Sequence, residues 1–170
     1  MIKYSSKKKF AGSKDSSYYD KDYFLNAMGS MYGKQDGKGG YVFYPYTEEY
    51  QLNRDKDFYD IYLNILKPKT AIVLGCARGY GVRILRDAGV DAIGVDISEY
   101  AIENCDEKIK DYVYCGDICD LSMFKDKSFD ILFAVDVLEH IKVPDLYKAI
   151  DECVRLSDLV YIGLPRNKRQ

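Results

Sequence analysis

The sequence predicts an α/β fold in which helices cover both faces of a doubly wound, mostly parallel, five-stranded sheet. From Thr70 onward, short apolar runs alternate with stretches in which apolar residues recur at helical spacing. Several of these runs are apolar without interruption, as expected for strands that are buried on both faces. Alternation of strands and helices produces parallel strands that are joined by right-handed crossovers.

Each predicted strand is one of these short apolar runs. The strands are predicted at residues 71–75, 91–96, 112–116, 129–135 and 159–164. The first run leads into a turn that is rich in glycine, and the second ends on an acidic residue.

The first predicted helix spans residues 47–66, with Thr47 as its N-cap and two glutamates in its first turn, where carboxylates suit the helix dipole. Pro68 ends this helix. Its apolar residues recur at helical spacing and predict one buried stripe, formed by Phe58, Ile61, Tyr62 and Ile65.

Three further helices are predicted between the strands. One follows the glycine-rich turn over residues 79–87, and the next begins at Ser98, whose side chain can cap it. The last begins at Asp145 and is expected to bury Leu146, Ala149, Ile150, Cys153 and Val154.

Composition and charge exclude several classes of protein. The chain has 170 residues, a net charge of −2 and no apolar run near the roughly 20 residues that a membrane-spanning helix needs. We therefore expect one domain with a sizeable core, no membrane partner and no long nucleic acid as a ligand. The lysines near the N-terminus precede no apolar segment of a signal peptide, so the expected location is cytoplasmic.

The five cysteines are expected to be reduced thiols, because their number is odd and no signal peptide is present. Cys115 and Cys119 are four residues apart, but no second pair or nearby histidine completes a zinc site. We therefore expect no metal and interpret the cysteines as small apolar side chains at strand ends.

The stretch AIVLGCARGYG contains three glycines close together, where the first predicted strand ends and the chain turns. They are Gly75, Gly79 and Gly81. Glycine lets backbone N–H groups approach a ligand closely, and the helix that follows offers its positive end. The second strand ends at Asp96, whose carboxylate can accept hydrogen bonds from both hydroxyls of a ribose. Because ligands of such sheets bind beyond the carboxyl ends of the strands, the unit predicts a nucleoside site. The alternative is a turn that serves helix–strand packing alone.

A dinucleotide fits this turn poorly. The pattern G-x-G-x-x-G admits a pyrophosphate, but here Ala77 and Tyr80 occupy the second and third glycine positions counted from Gly75. A nicotinamide-dependent enzyme is therefore the weaker alternative.

Four motifs in sequence order resemble those of the class I S-adenosylmethionine-dependent methyltransferases, especially small bacterial and phage-type members. They read VLGCARGYGVRIL, AIGVDISEYAIENC, YCGDICDL and SFDILFAVDVLEHI, and the resemblance covers about Thr70 to Pro165. It implies a Rossmann-like fold, S-adenosyl-L-methionine as the cofactor and transfer of its methyl group to an acceptor.

The resemblance implies roles for residues of the first two motifs. Asp96 would hold the ribose hydroxyls, and Ile97 would lie against the adenine. The turn would line the methionine moiety through Gly75, Cys76, Ala77 and Gly79.

The third and fourth motifs would complete the site. Asp117 would accept a hydrogen bond from the adenine amino group, and Ile118 would pack on the ring. Asp136 would lie beside the methyl donor, and His140, the only histidine, is the candidate base. The alternatives are that Asp117 is a turn residue, that Asp136 caps the next helix and that His140 only packs.

Residues 1–46 are interpreted as an N-terminal arm or lid, and residues 47–170 as the cofactor-binding domain. The arm is rich in tyrosine and glycine, and Lys34–Gly40 predicts a flexible turn. We expect the arm to fold over the cofactor and to shape the acceptor pocket, with Tyr41 and Tyr44 nearest. The alternatives are tyrosines that belong to the core and an arm that reaches to a second subunit of a homodimer.

The sequence departs from the family pattern in two places. Val73 stands where many members carry an acidic residue near the ammonium group of the cofactor. The sequence also stops soon after the fifth predicted strand, whereas the full fold has two more strands. We therefore expect a shortened sheet whose exposed edge is covered by the N-terminal arm or by a second subunit.

The expected acceptor is an oxygen or nitrogen atom of a small molecule, a sugar or a side chain. Methylation of DNA bases is not expected, because neither an Asn-Pro-Pro-Tyr-like tetrad nor a Pro-Cys nucleophile follows the fourth strand. The alternative is a non-catalytic cofactor-binding module of an assembly, which Val73 and the short end favour.

Overall fold

The computed structural model describes residues 16–25, 33–35, 41–43 and 48–164 of the chain. Its strands are β1 (Gly33–Gln35), β2 (Tyr41–Phe43), β3 (Thr70–Leu74), β4 (Asp91–Asp96), β5 (Val113–Cys115), β6 (Ile131–Val135) and β7 (Val160–Gly163). Its α-helices are α1 (Lys21–Leu25), α2 (Glu48–Leu66), α3 (Tyr80–Asp87), α4 (Glu99–Glu103) and α5 (Val143–Leu156). Short 3-10 helices span Ser16–Tyr18, Glu107–Tyr112 and Leu138–His140.

Strands β3 to β7 form one sheet in the spatial order β5-β4-β3-β6-β7, and all neighbouring pairs are parallel. The first of these strands therefore lies at the centre, and the chain winds outward from it on both sides. This confirms the predicted Rossmann-like, doubly wound sheet of five strands. The strand order reverses between β3 and β6, so the loops that follow these strands diverge and leave a crevice at the carboxyl edge.

Helices cover both faces of this sheet. On one face, α2 and α3 pack against buried side chains that include Val73 and Phe133. On the other face, α5 packs against Ile72, Leu74 and Leu132. Val73, which stands at the position of the acidic residue of many family members, is therefore part of the hydrophobic core, with 6% of its surface exposed.

The predicted buried stripe of α2 is wrong in part. Ile61 and Ile65 are 57% and 73% exposed, whereas Tyr59 is 4% exposed. Phe58 and Tyr62 do pack inward, with ring centroids 5.9 and 5.4 Å from that of Phe133. The helix is rotated toward its aromatic side, because large rings bury more apolar surface than the two isoleucines would.

Helix α5 begins at Val143, two residues before the predicted start, and carries a proline in its first turn, where a missing N–H costs nothing. Ala149 and Cys153 are buried as predicted. Ile150 and Val154 are 38% and 57% exposed, so their predicted burial is wrong. The face toward the sheet carries Leu146 and Leu156 as well as the small Ala149 and Cys153.

The N-terminal residues that the structure describes form two pieces. Strands β1 and β2 pair in an antiparallel hairpin, so Lys34 and Gln35 belong to a strand where the sequence predicted a turn. Residues 16–25 pack against α4 through a small cluster that includes the buried Tyr23 and Phe24. Asp20 begins α1 by accepting a hydrogen bond from the N–H of Tyr23 at 3.0 Å.

Some expectations concern residues outside this description. The predicted Thr47 cap, the position of Tyr44 and the glycines of residues 36–40 lie outside the described residues. Strand β7 is one edge of the described sheet, and Ile162 on it is 44% exposed. That the arm or a second subunit covers this edge stays a prediction. None of the described helices is both long enough and apolar enough to cross a bilayer.

Two glycines with positive φ, one before and one after α3, allow the cost of overpacking to be separated from the cost of backbone strain. Gly79 has φ +78°, and a Cβ there would lie 2.5 Å from Cδ1 of Ile109. Gly89 has φ +87°, but a Cβ there would meet nothing within 4 Å.

We predict that Gly89→Ala lowers the free energy of unfolding by about 1–2 kcal/mol, the cost of a left-handed alanine. Gly79→Ala should lower it by about 2–5 kcal/mol, because overpacking against Ile109 adds to the same strain. Chemical denaturation measures both values. In an Ile109→Val background, which lacks Cδ1, the cost of Gly79→Ala should shrink, and equal costs for the two glycines in the wild-type background would contradict the packing.

Candidate functional site

A cleft opens at the carboxyl edge of the sheet, where the strand order reverses. The turn after β3, the ends of β4 and β6 and the loop after β5 form its floor and sides, and residues of the N-terminal segment close it. The residues that line it are Tyr19, Tyr23, Phe24, Gly75, Ala77, Asp96, Ile97, Asp117, Ile118, Cys119, Asp136, Val137, His140, Ile141 and Asp145.

Asp96, the last residue of β4, anchors the floor of the cleft. It is 8% exposed, and its two carboxylate oxygens accept hydrogen bonds from the N–H groups of Ala77 at 2.7 Å and Ser98 at 2.9 Å. Burial raises the pKa of Asp96 above its ordinary value, although the two N–H donors act in the opposite direction. A carboxylate has about four acceptor sites, so Asp96 can still accept hydrogen bonds from hydroxyls in the cleft.

The turn after β3 bends through two residues in the left-handed region, Gly75 with φ +67° and Ala77 with φ +49°. The N–H groups of Gly75 and Cys76 both donate to the backbone oxygen of Val95, at 2.8 and 3.1 Å. A Cβ on Gly75 would lie 2.6 Å from Cγ2 of Val137. The glycine therefore lets the turn pack directly against the loop that follows β6.

Two residues that the sequence assigned to cofactor binding do not line the cleft. Cys76 is 7% exposed, and its side chain lies against Gly94 in the core. Burial raises the pKa of the Cys76 thiol well above its ordinary value, so the thiol is neutral. Gly79 packs against Ile109 and Val113. Both belong to the helix–sheet packing that the sequence analysis kept as the alternative for this turn.

The loop after β5 brings Asp117 and Ile118 to one side of the cleft. Asp117 is exposed, and its side chain accepts a hydrogen bond from the N–H of Cys119 at 2.9 Å, which makes it a turn residue as well as a lining residue. Ile118 is 7% exposed. Burial raises the pKa of Cys119 to about 12, so this residue is a neutral thiol that donates to the backbone oxygen of Asp145 at 3.6 Å.

Helix α5 fixes the continuation of this loop. The carboxylate of Glu152 accepts a hydrogen bond from the N–H of Leu121 at 2.7 Å. The guanidinium of Arg155 donates to the backbone oxygens of Leu121 at 2.9 Å and Phe124 at 2.8 Å, and pairs with Glu152 at 2.7 Å. These bonds hold the chain that follows Ile118 and so help to place it in the cleft.

Asp136 and His140 lie together on the opposite side. Asp136 has φ +53°, an uncommon conformation that aspartate tolerates better than most residues, and its N–H donates to the backbone oxygen of Gly163 at 2.9 Å. The 3-10 helix that carries His140 has Val137, not Asp136, as its N-cap. Nε2 of His140 lies 3.7 Å from Oε1 of Glu139.

Residues 16–25 supply a third side, called here the aromatic wall, which presents Tyr19, Tyr23 and Phe24 to the cleft. The sequence analysis placed Tyr41 and Tyr44 nearest to the ligand, but the structure describes only the backbone of Tyr41, in β2. Two other tyrosines of the arm, Tyr19 and Tyr23, reach the cleft instead, because tertiary packing decides which rings do so. That the arm acts as a lid stays a prediction. Sequence reasoning also missed Cys119, Val137, Ile141 and Asp145. The first three lie within the quoted motifs, beside residues to which a role was assigned.

The lining of the cleft has a clear charge bias. Among the described residues that line it, there are four aspartates and one histidine but no lysine or arginine. Asp145 is paired with Lys148 at 3.0 Å, whereas the carboxylate of Asp96 accepts hydrogen bonds from the backbone N–H groups of Ala77 and Ser98. Within the described ranges, no cluster of three or more His, Cys, Asp or Glu residues could hold a metal ion. The cleft is suited to a ligand with positive charge and hydroxyl groups.

Two comparisons of the sequence with known proteins both indicate a methyltransferase. Residues 72–158 match the family described as a methyltransferase domain. Ubiquinone biosynthesis O-methyltransferase from Methylococcus capsulatus (strain ATCC 33009 / NCIMB 11132 / Bath) is 32% identical over 97 residues, which cover 54% of this chain and 40% of that protein.

Solved structures are similar in fold. The PH0226 protein from Pyrococcus horikoshii OT3 has a TM-score of 0.62 and 26% identity, over 73% of this chain and 58% of that one. A SAM-dependent methyltransferase from Archaeoglobus fulgidus has a TM-score of 0.56 and 23% identity, over 69% and 50%. The chain thus spans about half the length of these relatives.

The electrostatics of Asp96 predict a pH dependence of stability. Burial raises the pKa of Asp96 in the folded protein above its value in the unfolded chain. The free energy of unfolding of the wild type should therefore fall as the pH rises from below the ordinary range of aspartate to above this raised pKa. Asp96→Asn lacks this titration, so its free energy of unfolding should rise relative to wild type over that interval. Chemical denaturation at a series of pH values measures the difference.

Asp130→Asn is the matched control. Asp130 accepts hydrogen bonds from the N–H groups of Thr70 and Lys69, which lower its pKa. Its stabilising effect is present above the ordinary range and is lost as the pH falls, so Asp130→Asn should show the opposite slope relative to wild type. Slopes of the same sign for the two variants would contradict the burial effect at Asp96.

Proposed function

The chain belongs to the methyltransferase domain family, and we propose that it transfers the methyl group of S-adenosylmethionine to an oxygen or nitrogen atom of a small-molecule, sugar or side-chain acceptor. The observation that carries this proposal is the set of four aspartates in a cleft whose described lining has no lysine or arginine. S-adenosylmethionine carries a sulfonium and an ammonium group, which such a lining attracts. A dinucleotide carries a negatively charged pyrophosphate, which the same lining repels.

The residues present fit the cofactor. Asp96 retains acceptor sites for two ribose hydroxyls after it has bonded to Ala77 and Ser98. Ile97 and Ile118 are apolar lining residues that can lie against the adenine ring, and the exposed carboxylate of Asp117 can accept from its amino group. Ala77, at the bend of the turn, can lie along the methionine moiety.

S-adenosylmethionine would supply a methyl group on a positively charged sulfur, and an acceptor atom would attack this methyl carbon in line, with the thioether sulfur as the leaving group. The protein's main contribution is to position this acceptor atom. His140 can accept a proton from a hydroxyl acceptor, and Glu139 at 3.7 Å stabilises the resulting positive imidazolium. The carboxylate of Asp136 lies on the same side of the cleft and can orient the acceptor by accepting a hydrogen bond.

An oxygen acceptor is favoured over nitrogen. An alcohol or phenol must lose its proton during the transfer, and the cleft provides a histidine that can accept it. The name of the relative from Methylococcus capsulatus also refers to an O-methyltransferase. Tyr19, whose ring centroid lies 6.3 Å from that of His140, makes this end of the cleft aromatic and suits an acceptor with an apolar body.

We expect S-adenosylhomocysteine to bind the wild-type protein in calorimetric titration, whereas NAD does not. Asp117→Asn should weaken the binding of S-adenosylhomocysteine about fivefold, because it removes a charged acceptor for the adenine amino group at a solvent-exposed position. Asp120→Asn is the matched control: its carboxylate accepts from Ser122 in the same loop but does not line the cleft. Binding of NAD, or equal effects of the two substitutions, would contradict the assignment.

The role of His140 is tested by methyl transfer to a panel of phenols, hydroxy acids and monosaccharides. We expect His140→Asn to lower turnover about 100-fold or more and to remove the acid limb of the pH profile, because general bases contribute about this much. Affinity for S-adenosylhomocysteine should change less than about threefold, because a threefold change corresponds to less free energy than one hydrogen bond to a charged group contributes. Turnover by the variant at the wild-type rate would overturn the role of His140 as a base. If the wild-type protein methylates no member of the panel, that result would count against the proposed acceptor class.

A further inference from the structure

We infer that Ser98 is a positioning residue that holds the aromatic wall, residues 16–25, against the cofactor end of the cleft, so that the wall and the bound cofactor stabilise each other. This inference rests on the proposed function for the identity of the ligand. It assigns to Ser98 a part in ligand binding beyond its role as a helix cap.

Three bonds of Ser98 join three parts of the site. Its N–H donates to the carboxylate of Asp96 at 2.9 Å. Its hydroxyl accepts from the N–H of Ala101 at 3.0 Å, which caps α4, and donates to the backbone oxygen of Tyr19 at 2.5 Å. The side chain is fully buried, with 0% exposure, so these bonds form away from competing water.

The wall depends on such contacts for its position. Its helix α1 has only five residues, which is far below the length at which an isolated helix is stable in water. Phe24 is 2% exposed and stacks on Tyr100 of α4 with ring centroids 6.0 Å apart. Tyr23 packs in the same cluster with Ala101. The wall is therefore fixed to the helix that Ser98 begins.

The wall also reaches across the cleft. Tyr19 is held by Ser98 on the β4 side, while its ring meets His140 edge-on, at 6.3 Å between centroids, on the β6 side. A ligand between Asp96 and His140 would be covered by Tyr19, Tyr23 and Phe24, all of which line the cleft. Contacts between the ligand and the wall would then favour both the bound state and the closed wall, and this coupling is reciprocal.

The test compares Ser98→Gly with Ser98→Thr. Glycine removes the hydroxyl that holds Tyr19, but it is an adequate N-cap and should leave α4 formed. Threonine keeps the hydroxyl. We expect Ser98→Gly to weaken S-adenosylhomocysteine binding about tenfold, the effect of one buried hydrogen bond, and Ser98→Thr to change it less than about threefold. Hydrogen exchange of residues 19–25 without ligand should accelerate in Ser98→Gly only.

Ser157→Gly is the matched control for the loss of a buried serine. Ser157 is 1% exposed, and its hydroxyl donates to the backbone oxygen of Leu159 at 3.0 Å, at the end of α5 and outside the cleft. This variant should be destabilised in chemical denaturation, yet it should bind S-adenosylhomocysteine as the wild type does and keep the exchange rates of residues 19–25.

Two results would overturn the inference. One is unchanged exchange of residues 19–25 in Ser98→Gly, and the other is an equal loss of affinity and protection in Ser157→Gly, which would show general destabilisation. If the wild type fails to bind S-adenosylhomocysteine, the proposed function falls. The exchange measured without ligand still decides whether Ser98 holds the wall.

Discussion

The carboxylate of Asp96 is the constraint on which the site depends. It lies at the end of β4 and accepts hydrogen bonds from Ala77 in the turn after β3 and from Ser98 at the start of α4. One buried group thus fixes two neighbouring loops relative to each other. Burial disfavours its charge, and the two N–H donors offset part of this cost. A hydroxylated ligand that supplies further donors would offset more of it.

The strand order explains why this carboxylate faces a cleft. Because β3 lies at the centre, the connections after β3 and β6 run to opposite faces of the sheet and separate above its carboxyl edge. Gly75 lets the two connections touch at the base, where a side chain would collide with Val137. Asp136, with positive φ, then turns the second connection so that His140 also reaches the cleft. These contacts define the floor of the cleft, while the aromatic wall is a separate short segment.

The sequence was sufficient to predict the parallel sheet and the eight assigned motif residues that the structure brings to the cleft, because strand ends of an α/β sheet meet at one edge whatever the details of packing. It was not sufficient to decide which face of a helix is buried. Ile61 and Tyr59 both belong to helical stripes of α2, and only the fit of aromatic rings against Phe133 selects the second. For the same reason, sequence spacing could not distinguish Ala77, in the cleft, from Gly79, in the core, or show that Tyr19 lies beside His140.

The most direct test of the account is a crystal structure of the protein with S-adenosylhomocysteine bound. It should show both ribose hydroxyls within about 2.6–3.2 Å of the Asp96 carboxylate, with the hydrogen bonds from Ala77 and Ser98 retained. A ligand that binds in the cleft with its ribose away from Asp96, or that binds only after the bonds to Ala77 and Ser98 have broken, would contradict the central position given to this residue.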